Sequence, residues 1–121
     1  MLNRVLLLLS LLLVLNCGVA QRDFQTQLTT AKTLFAQGDY LAAGEQCQTI
    51  YASRSARTEE LLLGIRSFAL AEQPEAAIAI LTQGVNSGWL DLQTLLSDTL
   101  LTSLHPRDDW QSEIRRLIQL T

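Results

Sequence analysis

With one histidine, this chain has few routes to chemistry. His105 is the sole imidazole in 121 residues, so neither a multi-histidine zinc cluster nor a relay of imidazoles can be assembled. It precedes Pro106, a context that pushes it toward extended backbone at a helix boundary. We read it as a cap or loop residue rather than a general base. No Gly-x-Ser-x-Gly elbow follows residue 20, and the six glycines are dispersed, matching neither a phosphate-cradling loop nor a dinucleotide fingerprint. Asp91 and Asp98 are the carboxylates best spaced to meet, but no third polar partner accompanies them. They are expected to cap short helices by accepting bonds from free backbone N–H groups. Glu59 and Glu60 read as first-turn acids that favour a helix dipole. The expectation is a protein without catalytic residues, metal or cofactor, and so not an enzyme.

The two cysteines are read through the N-terminus. Met1–Arg4 carries one positive charge, and Val5 to Leu15 is apolar except for Ser10. That run is too short for a membrane span, which needs about 20 apolar residues. It matches the apolar region of a secretory signal, and Gly18 and Ala20 are small where cleavage before Gln21 requires them. Residues 1–20 are therefore expected to be a signal peptide, which places the protein in the periplasm or outside a bacterial cell. The rival reading takes Leu15-Asn16-Cys17 as a loose lipobox, with Cys17 lipidated and the protein a membrane-anchored structural lipoprotein. After cleavage at Ala20 only Cys47 is left, so no intramolecular disulfide is expected. Cys47 lies on an apolar helical stripe, where free cysteine behaves as a small buried hydrophobe; redox sensing is the alternative.

The elements that position these residues are helical. Apolar residues make up 48% and charged residues 17%, which excludes a disordered tail or a collagen-like repeat. Net charge is −3 with scattered basic residues, so nucleic acid is not an expected partner. Phe24, Leu28, Ala31 and Phe35 recur at helical spacing, as do Ala43, Cys47 and Ile50. Leu61, Ile65 and Phe68 form a third stripe, Ala77, Leu81 and Gly84 a fourth. Gln37-Gly38-Asp39-Tyr40 reads as a tight turn, and Pro74 suits the first turn of the next helix. Positions 34 apart match: Ala43 with Ala77, Ala42 with Ala76, Cys47 with Leu81, Leu34 with Phe68. Lys32 and Arg66 are likewise 34 apart.

This spacing is the period of the two-helix tetratricopeptide repeat, and Leu34 to Ala43 resembles the middle of that repeat closely. Gly38, Tyr40 and Ala43 stand at its turn, aromatic and close-approach positions. The second copy has Glu72 in place of glycine and Pro74 in place of tyrosine, and keeps Ala77. The C-terminal third departs from the period. It reads Gly88-Trp89-Leu90-Asp91-Leu92, then Leu95, Asp98, Leu101 and Leu104, and resembles the ending that often follows such repeats in bacterial proteins. A last helix carries Trp110, Ile114, Leu117 and Ile118. The fold expected is all-α: a short solenoid of two repeats (21–56 and 57–87) with a helical cap (88–121). The resemblance implies a non-catalytic protein–protein interaction module whose first helices line a concave groove for a peptide or partner protein. Lys32 and Arg66 would hold a carboxylate there, flanked by Gln25, Leu28, Phe35, Glu59, Leu62 and Ala69. Contact with the membrane is expected only through the signal or the lipid anchor, and exposed apolar ends are compatible with a homodimer.

Overall fold

The computed structural model describes residues 24–53 and 57–121, and these form helices with no strand among them. Helix α1 covers 24–36, α2 Tyr40–Ser53, α3 Thr58–Leu70 and α4 Pro74–Ser87. A short α5, Leu92–Ser97, runs into a 3₁₀ helix, Thr99–Leu104, and α6 closes the chain over Asp108–Leu120. The signal-peptide residues, Cys17 and the expected cleavage site at Gln21 lie outside the described residues.

Several helix ends have a local cause. Gly38 takes φ 82° after α1, and its N–H donates to the Phe35 carbonyl at 3.1 Å while Asp39 N–H reaches the Leu34 carbonyl at 2.9 Å. These bonds satisfy carbonyls that a helix end leaves open. Between α3 and α4 the same turn recurs one period later. Glu72 takes φ 58°, its N–H bonds the Ala69 carbonyl at 3.3 Å, and Gln73 N–H bonds Phe68 at 2.9 Å. Pro74 opens α4, where its missing N–H costs nothing. Arg57 N–H donates to Glu60 Oε2 at 3.1 Å and closes the start of α3.

The period extends further than the residue types indicated. Helices α1 and α3 share bounds at a spacing of 34, as do α2 and α4. The C-terminal third, read from sequence as leaving the period, keeps it in its backbone. Leu92–Leu104 stands one such period after Thr58–Leu70, and α6 begins one period after α4. The first bond of each outer helix also repeats: Ala43 N–H to Asp39 O at 3.0 Å, Ala77 to Gln73 at 3.2 Å, Gln111 to Arg107 at 3.1 Å. What hides the third unit is Asp98. Its Oδ1 accepts the Leu100 N–H at 3.0 Å and starts the 3₁₀ segment, so the inner helix is split in two and its apolar stripe loses register.

Consecutive helices pack on one another, α2 on α3, α3 on α4, and the third unit continues the stack through the 3₁₀ helix on α3 and α6 on α4. Two clusters make the core. Leu28 and Ala31 meet Cys47, Ile50 and Leu63 in the first. The second runs from Leu61, Ile65 and Phe68 through Leu81 to Leu101, Leu104 and Trp110. Tyr51 packs against both, and its hydroxyl donates to the Glu60 carbonyl. Gly64 makes room for it: a Cβ there would strike the Tyr51 hydroxyl oxygen and lie 2.9 Å from Ile80 Cδ1.

Candidate functional site

Of the eight residues expected to line one groove, seven fall into two groups divided by the third unit, and Phe35 belongs to neither. The 3₁₀ helix packs on the face of α3 that carries Leu62, Arg66 and Ala69. Leu62 and Ala69 are buried there in the cluster that holds Leu101 and Leu104. Arg66 Nε donates to Asp98 Oδ2 at 2.6 Å; the two side chains are 34% and 7% exposed. The Arg66 guanidinium that was expected to face a ligand thus ties α3 to the cap. Asp98 serves two elements at once, with one oxygen on Leu100 N–H and the other on Arg66. Phe35 is partly buried against Tyr40, edge to face at 5.2 Å, where it braces the α1–α2 turn.

Gln25, Leu28, Lys32 and Glu59 stay together. They line a cleft of about 580 Å³ between α1 and the start of α3. Leu28 is buried at its floor. Phe24 and Trp89 add aromatic surface, and Arg57 a second cation. Trp89 is among the exposed large apolar residues. The Thr58 hydroxyl donates to the Trp89 carbonyl, which fixes the segment after α4 onto the start of α3. Lys32 Nζ meets Glu59 Oε1 at 2.6 Å across the cleft, with side chains 50% and 65% exposed. An ion pair this open is worth only about 0–1 kcal/mol, so an arriving carboxylate can displace Glu59 from the ammonium at little cost. Trp89, read from sequence only as part of the C-terminal ending, and Arg57 were not expected to line the groove. Trp89 follows a glycine outside any apolar stripe, and a large aromatic with no place in a stripe is the signal that could have marked it.

The remaining polar residues are accounted for structurally. Asp91 Oδ2 accepts the Thr94 N–H and hydroxyl, both at 3.0 Å, and caps α5. Asp91 and Asp98 thus cap successive elements. His105 ends the 3₁₀ helix in helical backbone, φ −56° and ψ −40°, not in the extended one expected before Pro106, and stacks on Trp110 at 5.0 Å. Cys47 is fully buried, and burial, the larger cause, pushes its thiol up from 9.0 to about 11. Among the described residues no group of three or more His, Cys, Asp or Glu could hold a metal ion, and no helix is long and apolar enough to cross a membrane. Compared with protein-family models, with curated proteins and with solved structures, the chain matches none of them.

Proposed function

We propose that the protein is a non-catalytic interaction module of the tetratricopeptide-repeat type, exported to the bacterial periplasm or beyond, which holds a segment of a partner protein in the cleft between α1 and α3. The observation that carries this reading is the cleft itself. It sets two cations, Lys32 and Arg57, beside two aromatic rings, Phe24 and Trp89. Such a surface recognises an extended segment that pairs an apolar side chain with a carboxylate, by burial of the first and charge-assisted bonds to the second. The recurrence of helix bounds and turn bonds at one constant spacing favours the repeat assignment. The groove then has its open mouth at the first unit, because the 3₁₀ helix lies over the corresponding part of the second.

The test is affinity purification of the tagged protein from crosslinked native envelopes, followed by mass spectrometry. Wild type is compared with the Lys32→Glu/Trp89→Ala double variant and with Gln83→Glu, a change on the far side of α4 in a separate surface groove. A partner recovered in near-stoichiometric amount by wild type and Gln83→Glu, and lost with the double variant, is the expected result. Equal recovery by all three, or no partner from any, overturns the proposal.

A further inference from the structure

The outer face of the last unit differs from those beneath it. One unit earlier the equivalent residues are Leu62, Ala77, Ile80 and Leu81, all buried within the stack. Their counterparts are Leu96, Gln111, Ile114 and Arg115, which line a cleft of about 370 Å³ together with His105 and Trp110. Leu96 is 50% exposed and Ile118, the next residue of the α6 stripe, 52%. Two of four apolar positions have become polar, yet the face keeps large apolar side chains in the open. A mixed surface of this kind suits a reversible contact better than a permanent one.

The charges on α6 indicate what fits there. Asp108, Gln111, Arg115 and Ile118 follow one another at spacings of three and four, so they lie along one stripe of the helix. Both Asp108 and Arg115 are exposed. The stripe is self-complementary when reversed: negative at its start, positive two turns on. We infer that this face pairs with a second copy of the chain, α6 against α6 antiparallel, about a twofold axis near Gln111 and Ser112. In that register Arg115 of each copy faces Asp108 of the other, and Ile118 of each enters the cleft beside Leu96 and His105 of the other. An isologous contact closes on itself and stops at two.

The experiment is sedimentation equilibrium on the full chain, expressed and processed in cells, over a hundredfold range of concentration and at two salt concentrations. The wild type is expected to pass from monomer to dimer with rising concentration, and to dissociate more readily in high salt. Arg115→Asp sets like charges together twice and is expected to weaken the dimer at least tenfold. Asp108→Arg/Arg115→Asp reverses both charges and is expected to restore it, which no merely structural role of either residue predicts. A wild type that stays monomeric throughout overturns the inference. So does a dimer indifferent to Arg115→Asp, or one that the double reversal fails to restore when circular dichroism shows both variants folded.

Discussion

At Glu72 an ordinary L residue holds the left-handed backbone that Gly38 holds one unit earlier. That conformation costs a residue with a Cβ roughly 1–2 kcal/mol, and the exposed Glu72 side chain makes no contact that offsets it in the turn bonds described above. Glu72→Gly is therefore expected to raise the unfolding free energy by about 1 kcal/mol in urea titration, and Gly38→Ala to lower it by about the same amount. A fall on Glu72→Gly would show that the side chain matters more than its backbone.

Two other residues make their own predictions. His105 Nε2 is buried without a hydrogen-bond partner among the described residues. His105→Phe keeps the ring on Trp110 and removes the unpaired polar atom, so it should leave stability equal or raise it by about 1 kcal/mol. Cys47 and Tyr51 share a pocket whose burial raises both of their folded pKa values, the thiol to about 11. The folded state then holds protons that the unfolded chain releases above pH 9, the thiol's ordinary value. Stability is full below that pH and falls as pH rises toward 11, a direction set by linkage. Native Cys47 should resist alkylation and react promptly once urea unfolds the chain; fast native labelling would refute the buried, protonated thiol.

Among the elements, the contact between α3 and the 3₁₀ helix decides how the inner face is used. Asp98→Ala removes the cap on Leu100 N–H and leaves Arg66 without its carboxylate. Stability should fall by about 2 kcal/mol, of which about 1 belongs to the cap, with the rest discounted because Arg66 is partly in water. Asp98→Asn, which can still cap, should lose about half as much; equal losses would mean that the cap contributes nothing, and no loss for Asp98→Asn that the ion pair contributes nothing. The same contact explains what could be read in advance. Helices, turns and the burial of Cys47 follow from short spacings along the chain, so the apolar stripes display them. The partnership of Arg66 with Asp98 joins residues on different units, and nothing local in either announces it. Leu62 and Ala69 looked available for a ligand because the covering element carries an Asp in mid-helix, which disguises its kinship with α3. Four of the eight expected groove residues line one cleft, because Gln25, Leu28 and Lys32 share a stripe of α1 that faces Glu59 at the start of α3, beyond the reach of the 3₁₀ helix.

Over the whole molecule, the larger core cluster runs unbroken from α3 to α6. Arg116 strengthens that join by holding Glu113 at 2.6 Å, which in turn accepts the Thr82 hydroxyl of α4 at 2.9 Å. The last unit therefore belongs to the fold rather than decorating it. A chain ending at Ser87 should lose cooperative thermal unfolding altogether, since about three stacked units are needed to bury a sufficient core. A sharp melt in circular dichroism for that fragment would show the first four helices to be self-sufficient.

Equal spacing of the helix bounds also makes the protein a ruler. A second copy of residues 40–73 inserted after Gln73 adds one outer and one inner helix in phase with those already present, and leaves the α6 stripe as it is. Each such insertion should lengthen the particle by a constant step in small-angle scattering while the helical fraction rises in proportion. Helix α1 at one end and the α6 stripe at the other could then be set apart at chosen distances, turning a natural period into a tunable spacer.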